Sequence, residues 1–158
     1  MSGTAISQIL DTFMEEGIKL TPIGATMLGV PGLDDQLDDF SMAGQERQME
    51  LTRKTLAALQ AATPENEYDR IARDVAVERL SSELNLGESL ESNILFNLIA
   101  SPITRIRQVF EMMNKEKPET ISNVVKRLNA IDAAFEGWKS SLEFAASKGK
   151  VNSRRQVL

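Results

Sequence analysis

The chain has 158 residues and contains neither cysteine nor histidine. That excludes disulfides, thiolate or imidazole metal ligation, cysteine nucleophiles and Ser-His-Asp triads, and it removes the usual proton shuttle near neutral pH. With 42% apolar and 26% charged residues, the composition is that of a globular protein, and the length suits one helical domain over 1–158.

The net charge of −5 is uneven, with 4 Lys/Arg against 12 Asp/Glu in residues 1–69 and 14 against 11 in residues 70–158. An acidic front half is unsuited to a nucleic-acid module, which needs a concentrated basic face. The basic end (Lys148, Lys150, Arg154, Arg155) reads as favourable charge at a helix C-terminus followed by a solvated tail. No apolar run approaches the roughly 20 residues that span a bilayer. The first apolar stretch carries Asp11, Glu15 and Glu16 and has no basic leader, so it is not a secretory signal, and a cytoplasmic location is expected.

The first predicted helix covers about 4–19, with Ile6, Ile9, Leu10, Phe13 and Met14 at helical spacing and Gly17 weakening its last turn. Thr21-Pro22, Thr63-Pro64 and Ser101-Pro102 each place a hydroxyl at an N-cap and proline at the first helical position. A short helical turn follows Pro22. Gly29-Val30-Pro31-Gly32 opens an irregular loop over 29–40, and Ser41 caps a helix near 42–62. The next helix, 64–86, has Tyr68, Ile71, Ala72 and Val75 on one side and Val77, Leu80 and Leu84 well round it. So wide an apolar surface predicts a central helix packed on more than one side. Asp69/Arg73 and Arg79/Glu83 fall between these sectors as i,i+4 ion pairs.

Gly87 reads as a helix stop. Residues 88–100 have no clear period, and 94–99 read as a buried connection or one short strand. A helix starting at Ser101-Pro102 carries Ile103, Ile106, Phe110 and Met113, and Pro118-Glu119 opens another although Lys117 is a poor cap. Ile121, Val124, Leu128, Ile131, Phe135, Trp138, Leu142 and Ala145 then make a heptad seam over 121–145, suited to antiparallel packing on a neighbouring helix. Asp132 is an alternative cap that would split the region, and Gly149 ends it. The expected fold is all-α: an antiparallel bundle of five to six helices with irregular loops near 29–40 and 88–100.

Asp34, Asp35, Asp38 and Asp39 form the one carboxylate cluster with metal potential. They lack the spacing, central glycine and closing glutamate of a calcium loop, and negative charge just before a helix N-terminus is favourable without a metal. No P-loop occurs, and a di-metal bundle would need Glu-x-x-His. Paired carboxylates for glycosidase chemistry are not singled out by any spacing. Trp138 and Tyr68 sit at core spacing. The residues themselves give no catalytic, cofactor or metal assignment.

Leu20 to Asp35 (LTPIGATMLGVPGLDD), Asp74 to Leu80 (DVAVERL), Asn97 to Pro102 (NLIASP) with Val109-Phe110, and Gly149 to Val157 together resemble, in order and spacing, the bacterial domain-of-unknown-function family 885. Members of that family are longer and mostly helical, with a fold like that of zinc carboxypeptidases of the thermostable Taq type. The resemblance implies a metallopeptidase-like protein whose His-Glu-x-x-His helix lies far downstream of this region. No family zinc ligand transfers to any residue here, because zinc of that kind is held by imidazole or thiolate.

The resemblance thus implies the non-catalytic N-terminal wall or lid of a deep cleft, truncated or split from its catalytic part. Such a piece should expose an apolar face that the rest covers. Its expected partner is the missing downstream region. The alternative is a stand-alone helical interaction module, a homodimer through the 121–145 seam.

Overall fold

A computed structural model describes residues 3–91, 94, 99 and 101–153. Among the described residues the chain is all-α, with seven helices: α1 (Ala5–Leu20), α2 (Pro22–Leu28), α3 (Met42–Ala61), α4 (Glu67–Glu88), α5 (Pro102–Met112), α6 (Pro118–Asn129) and α7 (Ile131–Ser147). The number exceeds five or six because the turn after Pro22 is a helix of its own and the last region divides at Ala130. Most of 94–99 lies outside the described residues.

Local chemistry starts most of these helices. The Thr4 hydroxyl accepts from Ser7 N–H, Ser41 from Gly44 N–H and Ser101 from Thr104 N–H, each satisfying an orphan amide of the first turn. Lys117 cannot cap, so its own N–H donates to the Thr120 hydroxyl (3.2 Å). Gly29, at φ 74°, closes α2 in the left-handed region.

Two cores result. α1, α3 and α4 bury Ile6, Leu56, Leu59 and Leu80, with Ile9, Leu10, Phe13, Ala72, Ala76 and Leu84 packed around them. The 29–40 loop, α2, α5 and α7 bury Ile23, Phe40, Ile106, Val109, Ala134 and Trp138. Contacts of α3 with α7 and of α1 with α2 join the two. The α7 contact is close. A Cβ on Gly137 would lie 3.3 Å from Ser41 N, and the buried Ser141 hydroxyl donates to Phe40 O (2.7 Å).

Several sequence expectations change. Thr63-Pro64 does not start α4: Asn66 does, accepting from Asp69 N–H (2.9 Å). Thr21 does not cap α2, because its hydroxyl donates back to Gly17 O (3.0 Å). Gly87 lies inside α4, where a Cβ would come within 2.8 Å of Met49 Sδ, and the left-handed residue beyond the helix is Leu90 at φ 62°.

The expected ion pairs of α4 also rearrange. Asp69 is buried and accepts from the Thr4 hydroxyl (2.8 Å) and Glu65 N–H (3.0 Å). Arg73 pairs with Asp74 (3.1 Å) and Arg79 with Glu78 (3.8 Å). Nor is α4 packed all round: Tyr68 is 86% exposed, with Ile71 and Val75 beside it in solvent. The 121–145 seam is not continuous either. Trp138 and Ala145 of α7 are buried, but Ile121 and Leu128 of α6 are exposed.

Candidate functional site

The acidic loop is built as four separate latches. Asp34 Oδ1 accepts from the Thr26 hydroxyl (2.8 Å). Asp35 pairs with Lys126 of α6 (3.2 Å). Asp38, almost fully buried, accepts from Ile23 N–H (2.8 Å) and from Arg105 Nη2 of α5 (2.6 Å). Asp39 accepts from Ser41 N–H (2.9 Å) and pairs with Arg47 of α3. Asp38 thus performs the α2 capping that Thr21 does not, from fifteen residues downstream. The four carboxylates face different partners, and among the described residues no group of three or more His, Cys, Asp or Glu is arranged to hold a metal ion.

Burial raises the Asp38 pKa, against the lowering effects of the Ile23 N–H and of Arg105. At Asp39 the burial cost is outweighed by the Ser41 and Arg47 hydrogen bonds, and its pKa is lowered.

At the centre of the loop stands Arg127 of α6, 0% exposed. Nε donates to Gln36 O (2.8 Å), and Nη2 to Leu33 O (3.0 Å) and the Thr26 hydroxyl (2.9 Å), with Pro22 O at 3.5 Å. Burial lowers its pKa, opposed by Asp34, Asp38 and Asp35, yet a guanidinium stays protonated at neutral pH. A loop without regular structure has carbonyls that no ladder satisfies, and one planar fork of donors satisfies several of them together.

The inward turn of Arg127 rotates α6 so that its apolar stripe faces out. Ile121 (48% exposed), Val125 (51%) and Leu128 (50%) stand at i, i+4 and i+7. A second exposed stripe, Tyr68, Ile71 and Val75 at i, i+3 and i+7, stands on α4. Sequence reasoning missed Arg127, since period analysis follows apolar residues only. The available signal was the segment 29–39, which carries four carboxylates and no Lys or Arg of its own.

The interior also opens to solvent. A cavity of about 300 Å³ lies between the 38–40 loop, α3, the C-terminal end of α4, α5 and Trp138. A second of about 290 Å³ lies between α1, α2 and α3. Gln48, Thr52 and Glu83 line both.

Residues 22–158 match the family described as "Bacterial protein of unknown function (DUF885)". The chain belongs to this family. The matched segment begins at the proline that opens α2 and holds the whole Arg127 latch, from Pro22 O to α6, while α1 precedes it. No curated protein matches the chain. The DUF885 segment brings no metal-ligating cluster with it among the described residues, and no helix among them is long and apolar enough to cross a membrane.

Proposed function

We propose that this DUF885 chain is the helical wall of a larger zinc-metallopeptidase-like protein and supplies no metal ligand itself. One observation supports the reading above the others: the exposed stripe Ile121, Val125 and Leu128 on a helix whose buried member is an arginine. A free-standing helix of this composition would turn its apolar side inward and leave arginine in water. Here the arginine is held inside by loop carbonyls, so the apolar side is committed outward, as on a surface that another polypeptide covers. The α4 stripe, headed by Tyr68, has the same character. The four latches fix the loop and leave it no carboxylate set for chemistry.

The covering polypeptide in this reading is a metal-binding region encoded separately or downstream. The test is the coding sequence that follows Leu158 or lies in a neighbouring frame, and co-expression of its product with this chain. The expected result is a His-Glu-x-x-His-bearing polypeptide that co-purifies with the chain, and Val125→Asp abolishes the association. Absence of such a reading frame, or a product that ignores the chain, refutes the proposal. A dimer of the chain through the α6 stripe would instead favour the interaction-module alternative.

A further inference from the structure

The face of α4 opposite the buried Asp69 and Leu80 exposes Tyr68, Ile71 and Val75. An α-helix advances about 100° per residue, so Ile71 and Val75 stand about 40° apart at the crest of this face. Tyr68 and Arg79 fall within about 20° of each other on one border of it. Arg79 is exposed, and its one ion pair among the described residues is a long contact with its neighbour Glu78 (3.8 Å). Along the other border run Glu67, Asp74 and Glu78, where Arg70 already pairs with both Glu67 and Asp74. The face therefore carries an apolar crest, an open ring and a weakly held guanidinium on the same side.

We infer that this face pairs with the same face of a second copy, the two α4 helices antiparallel about a two-fold axis level with Arg73. Such an axis sets Ile71 level with Val75 of the second copy, and Tyr68 within a residue of the level of its Arg79, each contact made twice. An antiparallel two-fold pair brings like borders together. The border that holds Tyr68 and Arg79 thus meets itself, and each guanidinium lies over the other copy's ring. On the other border Arg70 comes within two residues of the level of the second copy's Glu78, so the acidic row does not face itself unmatched. A parallel pair would set each ring beside a Glu67 carboxylate, against its negative face, and would align the two helix dipoles. Crest, ring and cation each find a mate in the same face turned over, which is what singles out a second copy as the occupant. One helix pair buries less than the roughly 1,200 Å² of a stable interface, so the pairing is weak and concentration-dependent. The covering polypeptide proposed above would compete for this face, so self-pairing masks it while that polypeptide is absent. The inference rests on α4 alone and not on the cleft-wall reading.

The test dilutes the full chain from about 1 mM to about 10 µM while NMR diffusion and amide signals are followed. The expected result is a dimer at the top of the series and a monomer at the bottom, with the amide shifts confined to α4. Val75→Asp, at an exposed position, should abolish the pairing at an unchanged thermal midpoint. Arg79→Ala should weaken it about tenfold, because each dimer loses two cation–ring contacts. Val125→Asp on α6 should leave it intact. The chain has no cysteine, so a spin label on Ser82→Cys is unique. Mixed with isotope-labelled parent chain, it should broaden signals of the other copy around Glu65, at the start of α4. A chain that stays monomeric at about 1 mM, a dimer lost in Val125→Asp and kept in Val75→Asp, or broadening strongest around residue 82 of the other copy would each overturn the proposal.

Discussion

Replacing Arg127 by methionine keeps most of the apolar stem and removes the donors. Four acceptors then lose a partner inside the protein: Gln36 O, Leu33 O, the Thr26 hydroxyl and, at 3.5 Å, Pro22 O. An unsatisfied buried acceptor costs about 1–3 kcal/mol. Three effects reduce the sum. The Thr26 hydroxyl keeps its bond to Asp34. Leu33 O still accepts from Gln36 N–H (3.1 Å) and Pro22 O from the Thr26 hydroxyl (3.3 Å). In addition, Nη1 of Arg127 has no partner among the described residues, so the native guanidinium already carries some uncompensated burial. The loss of a cation near Asp34, Asp35 and Asp38 acts the other way.

The expected net cost is about 3–5 kcal/mol, in line with breaking a buried charged network, out of a total stability of roughly 5–15 kcal/mol. Arg107→Met on α5, where the side chain is 74% exposed, should stay within about 0.5 kcal/mol. The assay is urea unfolding followed by helical circular dichroism and Trp138 fluorescence. If Arg127→Met falls within 1 kcal/mol of the parent at an unchanged slope, the latch is not what holds the 29–40 loop.

Other outcomes follow from the same geometry. Asp38→Ala leaves Ile23 N–H and Arg105 unanswered and should cost about 2–4 kcal/mol, whereas Asp38→Asn keeps an acceptor and should cost less. Because the folded pKa of Asp38 is raised, its contribution is fully present below the unfolded value and is lost as pH rises through the folded one. The stability of the parent relative to Asp38→Asn should therefore decline as pH rises across that window, measured by paired denaturation series. Gly44→Ala would gain about 1 kcal/mol from helix propensity alone. A Cβ there would meet Asp39 O at 2.1 Å, so a loss of thermal stability is expected, and a gain would contradict the tight entry to α3. Ile121→Gln and Val125→Gln should leave the stability of the isolated chain within about 0.5 kcal/mol, since both residues are exposed.

Where local chemistry decides, the sequence is readable. Ser41 and Ser101 cap where a hydroxyl precedes a helical period, α1 and α3 lie within a residue of their predicted spans, and α5 starts where expected. Where an interaction reaches across the chain, it is not. Thr21 and Asp38 compete for one N-terminus, and only the folded arrangement shows that the carboxylate fifteen residues on prevails. The heptad at 121–145 counts Ile121 and Leu128 as equals of Trp138, because periodicity records that a stripe exists and not what lies against it. The same holds for Tyr68, Ile71 and Val75: their spacing is that of a core, and their exposure is a property of the surroundings. The four aspartates are a cluster in sequence only. Folding distributes them to Thr26, Lys126, Arg105 and Arg47, partners that no local spacing identifies.

The most direct test of the central claim is the zinc content of the purified chain, by itself and bound to the product of the adjoining coding region, after dialysis against a weak chelator. The account predicts less than one-tenth of an equivalent in the chain alone and one equivalent in the complex, with amide exchange slowed along the α4 and α6 stripes. A chain that by itself retains one tightly held zinc and hydrolyses peptides would contradict it.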